Sequence, residues 1–413
     1  MRRDYLSRID TTLLQLEDPT NPMMITLVLG FKAPIDFERL KATLRARLLR
    51  MPRFRQRVAR SRLGLGRPYW QDDPDFDLDY HLRRATLPPP GDQATLQDAV
   101  SLLASTPLDM SRPLWQFHLL ENYAECCALV GRCHHSIGDG MAMVHVVLSM
   151  TDSDPDLPWP SLDPAAARRY AGHRPRAPFR TARSLCRAGR RATGTILQEG
   201  LDLMAHPARA RGLGQMGSEA AKVVARFALL EPDPDTVISG ELGTSKRAAW
   251  SEEIPIEGIK IIRRRLGGTV NDVLLTAVAG ALRRYLQDQG EPVDAISLRA
   301  AVPVNLRPPG REWELGNRMG AVFLSLPVSI AHPAVRLGEI QRLMNDRKGS
   351  LEAPVFYYLL NALGYVPASI SKPLVDTFGT RGTAVMTNVR GPEHRLYLAG
   401  APLDTLMGWV PQT

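Results

Sequence analysis

The chain has few of the residues that build metal centres, disulfide scaffolds or membrane spans. Four cysteines serve 413 residues. Cys126, Cys127, Cys133 and Cys186 show no metal-ligand spacing, and three of them share one short apolar run. That excludes a disulfide framework and a zinc module, and it reads as inert thiols in a reducing compartment, with a Cys126–Cys127 vicinal bridge as the one redox alternative. Long hydrophobic runs are missing too. The stretches around Val273–Leu282 and Ala321–Ala331 are too short to cross a bilayer. The basic start, Met1-Arg2-Arg3, is not followed by an apolar stretch of signal-peptide length. The expectation is a cytoplasmic protein whose membrane contact is peripheral. No phosphate-cradling loop is present, since Gly267-Gly268 reads as a turn, and no serine sits in a nucleophile elbow. There is no internal repeat and no low-complexity tract.

What remains is the composition of a globular protein: 44% hydrophobic, 23% charged, with a mean hydropathy of −0.17. The length suits two domains better than one core. The formal net charge is +9, and its position is informative. Residues 161–211 hold eleven arginines, no lysine and three acids. No nucleic-acid-binding signature accompanies them. Phe179, Leu185, Ile196, Leu197, Leu201 and Met204 interleave at loosely helical spacing. Two readings follow: a helix lying on an anionic membrane or lipid droplet, or a solvated linker helix between domains.

The first part of the chain alternates strands and helices. Strands are expected at Met23–Phe31, Leu114–Leu120 and Cys126–Cys133, the last two as a hairpin with Asn122 near its turn. Helices are expected at Asp36–Leu49, Gln93–Leu103 and Met141–Met150. A Pro-, Asp- and Arg-rich stretch, 152–175, reads as a linker, followed by helices at Arg180–Met204 and Ser218–Leu230. Beyond it, strands are expected at Lys246–Glu252, Ala295–Val304, Ala321–Val328 and Ala384–Val389. Helices are expected at Ile256–Leu266, Asn271–Leu286, Pro333–Met344 and Val355–Leu363. The alternation implies an α/β sandwich, divided as residues 1–157, a basic linker 158–243, and 244–413.

The densest chemistry is His134-His135-Ser136-Ile137-Gly138-Asp139-Gly140, between a buried strand and a buried helix. Successive strand residues point to opposite faces, so only one histidine of the pair can face a given cavity. A neutral imidazole is a base suited to pH near 7. Asp139 opens the helix, where the dipole favours a carboxylate; it is equally suited to holding an arginine, which the sequence does not name. Zinc is a poor fit for adjacent histidines on opposite faces. Asn271 and Asp272 directly precede an apolar helix, and either can cap it; free amides at such a helix start also suit a carbonyl or phosphate. Trp115 reads best as a core anchor. Asn305 and Arg307 end a strand, and Asn388–Pro392 ends another in a turn.

Taken in order, Leu6–Asp10 with Glu17, Pro19 and Pro22-Met23, Pro52–Arg57, Pro113-Leu114-Trp115, the His134–Gly140 block, Asn271-Asp272, Val304–Arg307 and Thr387–Pro392 resemble the bacterial wax ester synthase/diacylglycerol acyltransferase family along nearly the whole chain. The resemblance implies a two-domain fold of the CoA-dependent acyltransferase type, like chloramphenicol acetyltransferase and peptide-synthetase condensation domains, with an active-site channel between the domains. It implies acyl transfer from acyl-CoA, a co-substrate rather than a bound cofactor, to diacylglycerol or a long-chain alcohol, without metal or acyl-enzyme. His135 would be the general base, with His134 beside it and Asp139 mainly architectural. Gly140, Asn271, Asp272, Trp115 and Asn305 would line the substrate path. The expected partners are these lipids and a membrane or inclusion surface. Family members continue past Gly408–Thr413 with a glycine-rich strand and a final helix, so the second domain is expected to lack them. Two other readings stay open: an acyltransferase with another acceptor, and a non-catalytic lipid-surface protein of the same fold.

Overall fold

A computed structural model describes residues 3–61, 66–157 and 231–412, apart from positions 309, 312, 313, 348, 380, 381 and 393. The arginine-rich stretch, Cys186 and the helices expected at Arg180–Met204 and Ser218–Leu230 lie outside the described residues. The described residues on either side of that stretch belong to one compact unit.

Its first half contains β1 (Asp4–Tyr5), α1 (Arg8–Gln15), β2 (Met24–Phe31), α2 (Phe37–Ala46), β3 (Gln56–Ala59), β4 (Tyr69–Asp72), α3 (Leu78–His81), β5 (Leu82–Thr86), α4 (Gln93–Ser105), β6 (Trp115–Tyr123), β7 (Cys126–His134) and α5 (Gly140–Met150). The later part contains α6 (Ile256–Leu266), α7 (Val270–Asp288), β8 (Leu298–Asn305), β9 (Met319–Leu326), α8 (Pro333–Arg347), α9 (Glu352–Leu363), α10 (Ala368–Gly379), β10 (Ala384–Val385), β11 (Tyr397–Leu398) and β12 (Ala401–Trp409). A mixed six-stranded sheet runs β11-β12-β2-β7-β6-β5, and a smaller one runs β10-β8-β9; β1, β4 and β3 form a third. β12 had no counterpart among the expected strands. It pairs antiparallel with β2, so the end of the chain completes the sheet of the first half.

The period-2 side-chain alternation explains why β7 reads as a continuous apolar run. Leu29 opposite Leu129 faces a core built from α2, α5 and Trp115. Val28 opposite Val130 faces the other way, under α4. Arg132, on β7, fastens α4 from below. Its guanidinium donates to the carbonyls of Leu103 (2.7 Å) and Thr106 (2.6 Å) at the helix C-terminal end, where a cation suits the dipole. Burial pulls its pKa down to about 10.

The strand expected at Lys246–Glu252 is not a strand. The segment lies along α4, whose side chains take the place of a ladder: Ser101 Oγ accepts the Ala248 N–H, Ser105 Oγ accepts that of Lys246, and Gln93 and Gln97 donate to the Trp250 carbonyl. β10 covers only the first two residues of the strand expected at Ala384–Val389. The β6–β7 hairpin stands as expected, with Asn122, Ala124 and Glu125 at positive φ around its turn.

Candidate active site

Three pieces of chain converge on the His134–Gly140 block. The first is the end of β7, held against β2: His134 pairs with Met24, and the His135 N–H donates to the Met23 carbonyl at 2.7 Å. The second is α1. Ser7 caps it and Asp10 completes the capping box, so the Asp10 carboxylate is fixed at the helix start. α1 packs on α9 through Ile9, Leu13 and Leu360, and Thr12 Oγ1 donates to the Leu360 carbonyl at 2.7 Å. The third is the connection between β8 and β9. Gly316, at φ +95°, bridges to Gly138 in a parallel contact. Both glycines are required by space or backbone. A Cβ on Gly138 would meet that of Ala142 at 2.7 Å, and Gly316 sits in the left-handed region.

His135 is buried, and its Nδ1 lies 2.9 Å from Asn317 Oδ1. The Asn317 amide is oriented by its other end: Nδ2 donates to Asp10 Oδ1 (2.8 Å) and to the His135 carbonyl (2.7 Å). Oδ1 must therefore face the imidazole as an acceptor, which puts the proton on Nδ1 and leaves a lone pair on Nε2. Nε2 makes no hydrogen bond among the described residues, and it is not among the nitrogens sealed from solvent. Burial pushes the His135 pKa below 6.5, opposed by the Asp139 charge and the Asn317 bond, so the ring is neutral near pH 7. Burial likewise pushes the Asp10 carboxyl above its ordinary range, against the hydrogen bonds from Asn317 and Ser7.

His134 is also buried, but its nitrogens are engaged differently. Nδ1 accepts the Ser136 N–H at 3.0 Å and lies 2.7 Å from Ser136 Oγ. Nε2 lies 3.3 Å from Glu17 Oε2 without the alignment of a hydrogen bond, while that carboxylate oxygen accepts the Met23 N–H at 2.6 Å. His134 thus shapes the turn, and only His135 offers a free basic nitrogen.

Asp139 caps α5, accepting the Ala142 N–H at 3.0 Å. Its other oxygen accepts from Arg307 at 2.7 Å and from the Arg318 N–H at 3.0 Å. Arg307 is the arginine that the sequence could not name. The pair is buried on both sides, and the guanidinium also donates to the Gly316 carbonyl (2.6 Å). Asn305 supports it, with Oδ1 accepting the Arg307 N–H at 3.0 Å. Gly140 opens α5 with open space where a side chain would stand.

The remaining residues expected along the substrate path have other surroundings. Trp115 is buried, donates from Nε1 to the Phe54 carbonyl (2.9 Å) and stacks on His81 with ring centres 4.6 Å apart. It is a packing residue here. Neither Asn271 nor Asp272 is the N-cap of α7. Thr269 holds that position, because its hydroxyl reaches the Asp272 N–H (3.2 Å) while the Asp272 carboxylate accepts the Thr269 N–H (2.7 Å). Asn271 makes no side-chain hydrogen bond among the described residues, and neither residue joins the His135 network. Cys126 and Cys127 are free thiols with sulfurs 3.9 Å apart, and burial pushes Cys127 up to about 12. Among the described residues no three histidine, cysteine or acidic side chains gather as a metal site requires.

Asn317 and Asp10 were not among the expected site residues. Asp10 stood in the opening block and read only as family likeness. Asn317 lies far along the chain, and nothing local in its sequence marks it.

Two family models match the chain. The wax ester synthase/diacylglycerol acyltransferase catalytic domain matches residues 6–274, and the C-terminal domain of the same family matches residues 315–413. The chain is 30% identical over 433 residues to a putative diacylglycerol O-acyltransferase of Mycobacterium bovis, covering 97% of this chain and 80% of that one. Among solved structures it is similar to the wax ester synthase/diacylglycerol acyltransferase from Marinobacter aquaeolei VT8, with a TM-score of 0.64, 24% identity, and coverage of 99% and 87%. It is also similar to the first condensation domain of the calcium-dependent antibiotic synthetase, with a TM-score of 0.62, 17% identity, and coverage of 100% and 87%. The fold is therefore the mixed α/β fold of the CoA-dependent acyltransferase type. With matched models over well more than half its length, the chain belongs to the wax ester synthase/diacylglycerol acyltransferase family.

Proposed function

We propose that this protein transfers a fatty acyl group from acyl-CoA to the hydroxyl of diacylglycerol or a long-chain alcohol, with His135 as the general base. The observation that carries this reading is the one free basic nitrogen of the histidine pair: His135 Nε2, on a ring neutral by burial and held in one tautomer by Asn317. In the reaction, Nε2 takes the proton of the acceptor hydroxyl as its oxygen bonds to the thioester carbonyl carbon. The tetrahedral intermediate then collapses, the C–S bond breaks, and the departing thiolate takes the proton from the imidazolium. One proton leaves the alcohol and arrives on CoA, so the histidine ends as it began. The amides of Gly140 and Met141, at the positive end of α5, have no partner among the described residues and are suited to an oxyanion.

An acyl-enzyme has little support. The described thiols are buried or half-buried, and Ser136 Oγ is engaged by His134. The thioester is already activated, so base catalysis and positioning suffice.

The test is incubation of the purified protein with palmitoyl-CoA and either hexadecanol or dipalmitoylglycerol, reading CoA release and ester formation together. The expected result is ester and free thiol in equal amounts with at least one acceptor. Thiol release without ester, or no turnover with either lipid, overturns the reading.

A further inference from the structure

Leu6, just after β1, and Trp70, in β4, turn into the core. Strand alternation therefore sets Arg3 and Tyr5 on the outer side of β1, and Arg67 and Tyr69 on that of β4, with Tyr5 opposite Tyr69. The contacts follow. The Arg3 guanidinium lies 4.8 Å from the Tyr69 ring centre and that of Arg67 lies 5.8 Å from Tyr5, while the two rings meet edge to face at 6.2 Å. Arg8, at the start of α1, extends the group by stacking 3.7 Å over Tyr365, which follows α9 and is 70% exposed. Backbone carbonyls hold two of the arginines in place: Arg8 donates to Gly364 at 2.9 Å, and Arg67 Nε to Leu6. No carboxylate balances them. Arg3, Arg8 and Arg67 have no ion pair among the described residues, Asp4 is held by Arg53 at 2.7 Å, and Asp10 is buried against Asn317. Burial, then the charge of Arg8, holds the Arg67 pKa below its ordinary value, against the opposing pull of Tyr365 and Asp10. Like charges fixed this close repel each other, and a bound anion relieves that repulsion. The group stands beside α1, whose Asp10 reaches His135 through Asn317, so an anion anchored here lies next to the candidate active site.

We propose that Arg3, Arg8 and Arg67 bind the phosphates of the 3′-phospho-ADP portion of CoA, and that the exposed faces of Tyr365 and Tyr5 receive its adenine. The planar fork of arginine donates bidentately to phosphate. A tyrosine backed by a guanidinium on one face keeps the other for a base to stack on. The acyl donor is thus recognised by its nucleotide, at a distance from the thioester. The proposal rests on the acyl-transfer reading for the identity of this ligand. Contacts so remote from the reacting carbon hold ground state and transition state alike, so their loss raises KM and leaves kcat in place.

The experiment pairs turnover with binding, on the full chain. Two variants are compared with wild type: Arg3→Gln with Arg67→Gln, and Tyr365→Ser. Octanoyl-CoA and octanoyl-pantetheine serve as alternative donors with whichever lipid acceptor supports turnover. Wild type should favour octanoyl-CoA in kcat/KM by about tenfold or more, the worth of a charge-assisted contact, and the arginine variant should lose most of that preference through KM. The ratio of two donors on one preparation cancels any unfolded fraction, so freeing the Leu6 carbonyl does not imitate the result. Adenosine 3′,5′-bisphosphate, titrated calorimetrically, should bind wild type and bind both variants roughly tenfold more weakly. Equal kcat/KM for the two donors in wild type, or a preference kept by the arginine variant, overturns the proposal and leaves acyl transfer standing. Bisphosphate binding that the variants weaken, without turnover of any donor, supports the nucleotide site and overturns acyl transfer instead. ATP bound as tightly as the bisphosphate overturns the proposal in favour of a general polyanion patch.

Discussion

Asp10 and Asp139 are both buried carboxylates that tie the first half of the chain to the connection between β8 and β9, but they work through partners of different charge. Asp139 meets a guanidinium, a helix amide and a loop amide, and each of its oxygens is engaged. Asp10 meets the neutral amide of Asn317, which passes the orientation on to His135. The first arrangement ends in a closed ion pair. The second ends in an open lone pair. A residue that holds the loop must have its valences filled, whereas the residue that takes a proton must keep one free.

The sharpest way to break that contrast is His135→Ala. Loss of a general base costs a factor of about a hundred to ten thousand, and turnover with palmitoyl-CoA should fall by that much. The melting temperature should fall only modestly, because Nε2 bonds to nothing and the stability lost is that of the buried Asn317 Oδ1 left without the Nδ1–H, about 1–3 kcal/mol. Near-normal turnover would show that the free nitrogen is not the base.

Asp139→Asn should act on the other side of the contrast. It leaves Arg307 buried without its counter-charge, which costs roughly 3–5 kcal/mol for a buried pair. The denaturant midpoint should drop well below wild type, and activity should fall with it. Adding Arg307→Met should recover part of the stability by removing the stranded charge. An unchanged midpoint with lost turnover would give Asp139 a direct part in the chemistry.

How much of this was readable beforehand follows from where each signal lives. β7, α5 and their junction were legible because apolar period, cap and histidine pair sit within one short stretch. α6 and α7 were legible from helical periodicity alone. The partners of the motif were not, because Asn317 and Arg307 reach it across 182 and 168 positions. No local pattern distinguishes Arg307 from the other arginines; what selects it is the turn at Gly316 and the brace from Asn305. β12 was missed for a similar reason. Its residues are mostly half-buried and do not alternate cleanly, and its strand character comes from the edge that β2 offers. The segment at Lys246–Glu252 fails in the opposite sense: its pattern suits a strand, but α4 side chains satisfy its backbone first.

Asn317 offers a finer test than either end of the chain it links. Asn317→Ala removes the acceptor that holds Nδ1–H, so the imidazole can carry its proton on either nitrogen and tilt. Misplacement of this kind costs up to about a hundredfold, and the loss should appear in kcat more than in KM. Asn317→Asp is more telling. Burial holds the His135 pKa below 6.5, so the acidic limb of the activity profile should lie below pH 6.5 in the wild type. A carboxylate against Nδ1 favours the imidazolium and should move that limb upward. The same depressed value carries a stability consequence. Unfolded His135 binds more protons than folded His135 below pH 6.5, so its contribution is present above that value and is lost as the pH falls through the folded one. A limb that does not move in Asn317→Asp separates His135 from the titration.

His134 should give the smallest effect, and it tests whether the two histidines really differ. Its Nδ1 accepts the Ser136 N–H, and Glu17, beside its Nε2, holds the Met23 N–H, while the Met23 carbonyl receives the His135 N–H. His134→Ala strands the Ser136 amide in a buried turn, which costs about 1–3 kcal/mol. The expected result is a modest loss of stability and a loss of turnover well short of that in His135→Ala. His134→Gln, whose amide oxygen can accept from Ser136, should restore much of both. The deciding measurement is the kcat ratio of the two alanine variants, taken at a temperature where both remain folded. A His134→Ala enzyme as inactive as His135→Ala, with an unchanged melting temperature, would mean that the proton step belongs to the pair.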